Sequence, residues 1–110
     1  MNIIKSNQAR DVNAVNEHIR HFLDPQGRLR LFPAKRKMKL YCLFYLASKF
    51  EPERQYTERE VNDLLLSWHT FGDPATLRRE LYDYRFLNRS TDGRSYWVNP
   101  VQPTPADLIP

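Results

Sequence analysis

Apolar residues recur at the spacing of amphipathic helices along the first half of the chain. Residues 8 to 23 predict a first helix whose apolar face is formed by Val12, Val15, Ile19 and Phe22. DPQG (residues 24 to 27) indicates a turn, and RLRL (residues 28 to 31) indicates a short strand or extended link. A second helix is predicted from about Ala34 to Phe50, and its almost wholly apolar second half is typical of a buried helix.

Capping signals locate two further helices. Thr57 and Glu60 have the spacing of a capping box at the start of a third helix. After a turn at Gly72, Asp73 can cap a fourth helix that has Pro74 at its first position. The residues at core spacing in these two helices are Val61, Leu64, Leu65, Trp68, Leu77, Leu81 and Tyr84.

A β-hairpin is predicted after the fourth helix, because two aromatic-bearing runs flank Asp92-Gly93. A two-residue turn there would pair Thr91 with Arg94 and Arg89 with Tyr96. A third short strand is expected around Tyr56.

The predicted fold is α+β and mainly α: a winged helix-turn-helix with an extra N-terminal helix and a C-terminal β-hairpin wing. We expect residues 1–98 to form a single domain. Four prolines in the remaining residues, 99–110, indicate an extended or disordered tail.

Four segments resemble a prokaryotic family catalogued as domain of unknown function 2087. They read FLDPQGRLRLFPAKRKMK, FEPERQYTEREVN, ATLRRELYDYRFLNR and DGRSYW, and they span Phe22 to Trp97. The resemblance implies a small bacterial protein of a kind that is sometimes joined to a transcription-regulator domain. It implies no activity, cofactor or catalytic residue. The chain departs from the family pattern at Arg85, where a glycine would suit a left-handed helix end.

Charge is concentrated in one part of the chain. The formal net charge is +4 and the isoelectric point is about 9.4. Six cations occur between residues 28 and 39 without an anion: Arg28, Arg30, Lys35, Arg36, Lys37 and Lys39. The dipole of a helix disfavours cations at its N-terminus, so the stability of the second helix does not explain four of them. Contact with phosphates is one explanation for these cations, since exposed amides and clustered cations bind anions. The alternatives are a solvated basic edge, or pairing with the acidic segment from 51 to 63.

The fourth helix and the wing offer further cations. Thr76, Arg78 and Arg79 are predicted on the outer face of the helix that would enter the major groove of DNA. Arg89 and Arg94 are predicted on one face of the wing, where they could contact phosphates or a minor groove. The alternative for the helix is a surface held by local ion pairs, such as Arg79 with Asp83 four residues later.

Catalytic and metal chemistry find little support in the sequence. His18 and His21 are three residues apart, but His69 and Cys42 are the only other soft ligands and belong to other helices. No nucleophile motif or glycine-rich phosphate loop is present. We therefore predict a protein that is not an enzyme and has no metal or cofactor. The lone cysteine and the lack of a long apolar run indicate a cytoplasmic protein with no membrane association.

The functional hypothesis is a small nucleic-acid-binding protein, a DNA-binding transcriptional regulator or accessory, with double-stranded DNA as its partner. A homodimer could form through the first helix, although a core role for that helix is the simpler interpretation. The alternative function is a winged-helix protein–protein interaction module that does not bind DNA. A third hypothesis is a small-molecule sensor lined by Phe44, Tyr45, Trp68 and Tyr84.

Overall fold

Four helices and one hairpin follow one another in residues 15–103, the part of the chain that the computed structural model describes. Residues 15–19 are helical (α1) and lead into a 3₁₀ turn, Arg20–Phe22. The later elements are α2 (Arg36–Ala47), α3 (Glu58–Ser67), α4 (Pro74–Asp83), β1 (Leu87–Arg89) and β2 (Tyr96–Val98). The predicted α+β, mainly α class is confirmed. Predicted helix residues 8–14 and tail residues 104–110 lie outside the described residues.

Helix α2 is the centre of the core. Every residue from Leu40 to Ala47 is buried, so this part of the helix has no exposed face. Val15 and Ile19 of α1 are buried in the same core. This agrees with a core role for α1, the simpler alternative to a dimer interface. A homodimer through α1 stays a prediction. Helix α2 ends at Ala47, three residues before the predicted end, and Phe50 packs edge-on against Tyr56 at 5.2 Å.

The link between α1 and α2 is extended but forms only isolated bridges. Leu29 is fully buried, and its amide donates to the Trp68 carbonyl at 2.8 Å. Its carbonyl accepts from the Thr70 amide at 2.9 Å. The flanking Arg28 and Arg30 are exposed. The link thus fastens the turn after α3 to the rest of the domain.

Side-chain caps fix the starts of α3 and α4, and a buried histidine holds the turn between the two helices. The capping box is confirmed, with Glu60 N–H donating to Thr57 Oγ1 at 3.1 Å and Thr57 N–H donating to Glu60 Oε1 at 2.8 Å. Asp73 caps α4 by accepting from the Thr76 amide at 3.2 Å. In the turn between the two helices, buried His69 places Nδ1 2.5 Å from the Leu65 carbonyl and accepts at Nε2 from the Asp73 amide at 2.8 Å. The two helices are therefore joined rigidly.

The hairpin has the predicted register and a longer loop. Arg89 pairs with Tyr96, as expected, but Ser90 and Ser95 form the last hydrogen-bonded pair and residues 91–94 form the loop. The expected pair of Thr91 and Arg94 is not formed. Tyr56 adds a single bridge to Tyr96, with N–H···O distances of 2.8 and 2.7 Å. The order of α3, turn, α4 and hairpin is compatible with a winged helix-turn-helix.

Arg85 adopts a left-handed conformation at the position where the resembling family has glycine. Its φ is 69°. The Arg85 amide donates to the Tyr82 carbonyl at 3.0 Å, and the Phe86 amide donates to the Leu81 carbonyl at 2.9 Å. These two bonds are the Schellman pattern that ends a helix. This helix end therefore holds Arg85 in the left-handed conformation even though the Cβ of a non-glycine residue is sterically disfavoured there.

Arg85→Gly should stabilise the protein by roughly 0.5–1.5 kcal/mol, because glycine lacks the steric penalty of the left-handed region but loses more entropy on folding. Urea unfolding measures the change, and the melting temperature should rise by about 4–8 °C per kcal/mol. Arg85→Ala is the control, since it removes the charge but keeps the strain. A glycine variant no more stable than the alanine variant would contradict this interpretation.

The two caps should also make stability depend on pH. The Thr57 amide lowers the pKa of Glu60, and hydrogen bonds from Thr76 lower the pKa of Asp73. A lowered folded-state pKa gives stabilisation that is complete above the ordinary values of 4.5 and 3.8 and is lost as the pH falls through the folded-state values. Between about pH 6 and about pH 3, we therefore expect the free energy of unfolding to fall less in Glu60→Gln/Asp73→Asn than in the parent. Equal losses, measured by urea unfolding, would refute this role of the caps.

Candidate nucleic-acid interface

Helix α4 presents one exposed ridge. Thr76, Arg79 and Asp83 are exposed and recur at intervals of three and four residues, so they lie along one side of the helix. Leu77 and Leu81 are fully buried on the opposite side. The predicted outward positions of Thr76 and Arg79 agree with the structure.

One flank of this ridge is formed by α2. Lys39 Nζ lies 3.1 Å from Glu80 Oε1, and both side chains are about one-fifth exposed (23% and 21%). Lys39 also lies over the ring of Phe32, 5.6 Å from its centroid. Because Lys39 is one turn beyond the start of α2, this ion pair brings the N-terminal turn of α2 alongside α4.

The start of α2 is cationic and lacks a side-chain cap. Lys35 is the N-cap residue, and its side chain accepts no hydrogen bond from the first turn, which contains no acidic residue. Lys35, Arg36 and Lys37 are exposed and make no ion pair within 4.0 Å among residues 15–103. The acidic segment from 51 to 63 pairs with Arg54, Arg59 and Arg78 instead. The start of α2 therefore combines exposed cations with the positive end of a helix dipole.

The other flank of the ridge is formed by the wing. The Arg89 guanidinium lies over the Tyr82 ring, 4.7 Å from its centroid. Hydrogen bonding to the Tyr96 side chain, and to a smaller extent to that of Tyr82, raises the pKa of Arg89. A groove of about 280 Å³ separates α4 from the wing. It is lined by three arginines, two tyrosines and two carboxylates: Arg78, Arg79, Arg89, Tyr82, Tyr96, Glu58 and Asp83. Arg89 is thus held in place by aromatic contacts at the edge of this groove.

Several of the predicted cations are occupied by contacts within the chain. Arg28 pairs with Asp24 at 2.8 Å, and Arg30 donates to the carbonyl of His21. These two contacts help to close the turn before α2.

Arg78 and Arg94 also have partners. Arg78 donates to the side chain of Asn62 and pairs with Glu58 at 3.5 Å, so it joins α4 to α3. Arg94 lies 3.9 Å from Asp92 at the tip of the wing, whereas Arg89 packs against α4. The contact of Lys39 with Glu80 places the start of α2, which carries Lys35, Arg36 and Lys37, on one flank of α4, and Arg89 lies on the other.

Other chemistry-bearing residues are arranged for packing. Lys49 lies between two aromatic rings, 4.4 Å from the Tyr45 centroid and 4.1 Å from that of Trp68, and burial lowers its pKa. Burial raises the pKa of the Cys42 thiol to about 12. Within residues 15–103, no group of three or more His, Cys, Asp or Glu side chains could hold a metal ion. No helix among the described residues has the length and apolarity needed to cross a membrane.

A family model described as "Uncharacterized protein conserved in bacteria (DUF2087)" matches residues 28–98. The chain belongs to this bacterial family. The DUF2087 match contains every element from α2 to β2 and therefore both flanks of the α4 ridge. No curated protein and no solved structure matches the chain.

Arg78 and Arg79, although adjacent in the DUF2087 region, should respond differently to truncation. Arg78→Ala removes contacts to Asn62 and Glu58 from a side chain that is only 18% exposed, so it should destabilise the protein by about 1–2 kcal/mol. Arg79→Ala removes an exposed side chain and should change stability by no more than about 0.5 kcal/mol. Urea unfolding of both variants tests this, and a larger loss for Arg79→Ala would reverse the assignment.

Proposed function

We propose that this chain is a winged helix-turn-helix protein that binds double-stranded DNA through α4, as a transcriptional regulator or an accessory to one. The observation that carries the proposal is the placing of the exposed α4 ridge between two cationic flanks. The start of α2 lies beside Glu80, and Arg89 of the wing lies on Tyr82.

The geometry of α4 supports this proposal. Glu80 and Tyr82 are two residues apart, about 200° around the helix axis, so the contacts they make lie on nearly opposite sides of α4. The ridge of Thr76, Arg79 and Asp83 lies between them. A helix that enters the major groove has a phosphate backbone on either side of it. Cations on both flanks of an exposed helix fit that arrangement.

The electrostatics favour phosphates at the α2 flank. Exposed amides at a helix start and adjacent cations each attract anions, and both occur at Arg36 and Lys37. No described carboxylate pairs with these cations, so a phosphate would not have to displace one. The packing of α2 offsets the unfavourable placing of like charges at its start, since each fully buried apolar side chain contributes about 1.5–3 kcal/mol. The basic end is thus compatible with folding and available for an anion.

An interaction module for another protein is the second candidate function. Among residues 15–103, four large apolar side chains are exposed: Leu31 (48%), Leu66 (47%), Phe71 (36%) and Val101 (81%). Leu29 and His69 form a parallel bridge, and Leu31 and Phe71 each lie two residues after their bridge partner. Because the two segments run in the same direction, Leu31 and Phe71 lie at the same end of this pairing. A partner bound there would be held by apolar contacts and would respond little to salt.

Fluorescence anisotropy of a labelled duplex at several salt concentrations tests the proposed function. Binding should weaken steeply with salt, and Lys35/Lys37→Ala should reduce the magnitude of the log–log slope by up to about 1.8, since each phosphate contact contributes about 0.9. The matched control is Arg20/Arg59→Ala, which removes two exposed cations outside the proposed flanks. The control should leave the slope nearly unchanged.

Two outcomes would overturn the proposal. The first is that the parent protein binds no duplex even at low salt, which would exclude DNA binding through α4. Equal effects of the two double variants would show that net charge, and not the α2 flank, governs the interaction.

A further inference from the structure

We propose that Arg79 and Asp83 read base pairs two steps apart and give α4 a preference for duplex DNA that contains G·C pairs. This inference rests on the proposed function and adds the class of sequence that the interface selects. It starts from the two charged residues of the exposed ridge, which are one helical turn apart.

Both side chains are available for external contacts. The ion pair between them that the sequence suggested is not formed within 4.0 Å, and neither pairs with another residue among those described. Arg79 is near enough to Asp73 to contribute to its lowered pKa, but it forms no ion pair there. The adjacent Arg78 and Glu80 are both occupied, by Glu58 and Lys39 respectively.

The position of Asp83 has no explanation within the helix. Asp83 is the last residue of α4, and a carboxylate at a helix C-terminus is disfavoured by the dipole. It also lies between two cationic flanks proposed to hold phosphates, where a negative charge opposes binding. A carboxylate is favourable at such a place when it accepts a hydrogen bond from a base edge, and the N4 amino group of cytosine is the donor that Asp and Glu accept from in the major groove.

Arg79 supplies the complementary contact. Its guanidinium can donate to O6 and N7 of guanine in a bidentate pair. Residues four apart are separated by about 6 Å along a helix, which is close to two base steps of about 3.4 Å. Arg79 and Asp83 can therefore reach G·C pairs two steps apart simultaneously.

Competition binding tests this inference with duplexes that differ only in replacing G·C pairs by A·T pairs. The parent should prefer the G·C duplex by about tenfold, the discrimination expected of one good base contact. Asp83→Asn should bind the A·T duplex more tightly than the parent and show a smaller preference. Arg79→Lys keeps the charge but loses the two-pronged guanidinium that can bond guanine at two atoms. It should therefore retain affinity for the A·T duplex and lose the preference for the G·C duplex. Asp63→Asn, an exposed α3 variant that also removes one negative charge, should leave the preference unchanged.

The outcomes separate this inference from the proposed function. Salt-dependent binding with no base preference, or with a preference that Asp83→Asn leaves intact, would overturn the inference and keep the proposed function. Absence of binding to every duplex would overturn both.

Discussion

Burial of α2 on all sides is the constraint on which the rest of the structure depends. A helix whose residues from Leu40 to Ala47 are all buried must be covered by α1, α3, α4 and the hairpin. Its polar residues can then emerge only at its ends. The cations of its first turn are consequently gathered at one place on the surface, and Lys39 is positioned to pair with Glu80 of α4. The same packing that forms the core thus creates the basic flank beside the exposed ridge.

The local features of the fold could be predicted from sequence because short-range rules determine them. The capping box at Thr57 and the cap at Asp73 depend on residues three apart, and the core positions of α3 and α4 follow helical periodicity. The left-handed turn at Arg85 was indicated only by the glycine that the resembling family has there, because arginine itself gives no local signal for that conformation. The loop of the wing is longer than the Asp92-Gly93 signal predicted, because hydrogen bonds between Ser90 and Ser95 close it.

Contacts distant in sequence could not be predicted, and they decide which cations are available. Lys39 and Glu80 are 41 residues apart, and Arg78 and Asn62 are 16 apart. No periodicity or spacing rule indicates such pairs. Buried His69 was likewise missed as the link between α3 and α4, because its two hydrogen bonds depend on the turn that it stabilises. The sequence located the cationic residues, but tertiary structure separates structural arginines such as Arg78 from exposed ones such as Arg79.

The central claim is that α4, flanked by the start of α2 and by the wing, is one continuous nucleic-acid surface. NMR titration of the labelled protein with a short duplex tests it most directly, because each backbone amide reports separately. The account predicts that the largest shift changes cluster at residues 35–38, 75–83 and 89–94, with little change in residues 15–19. Changes concentrated around Leu31, Leu66 and Phe71, or absent throughout, would contradict it.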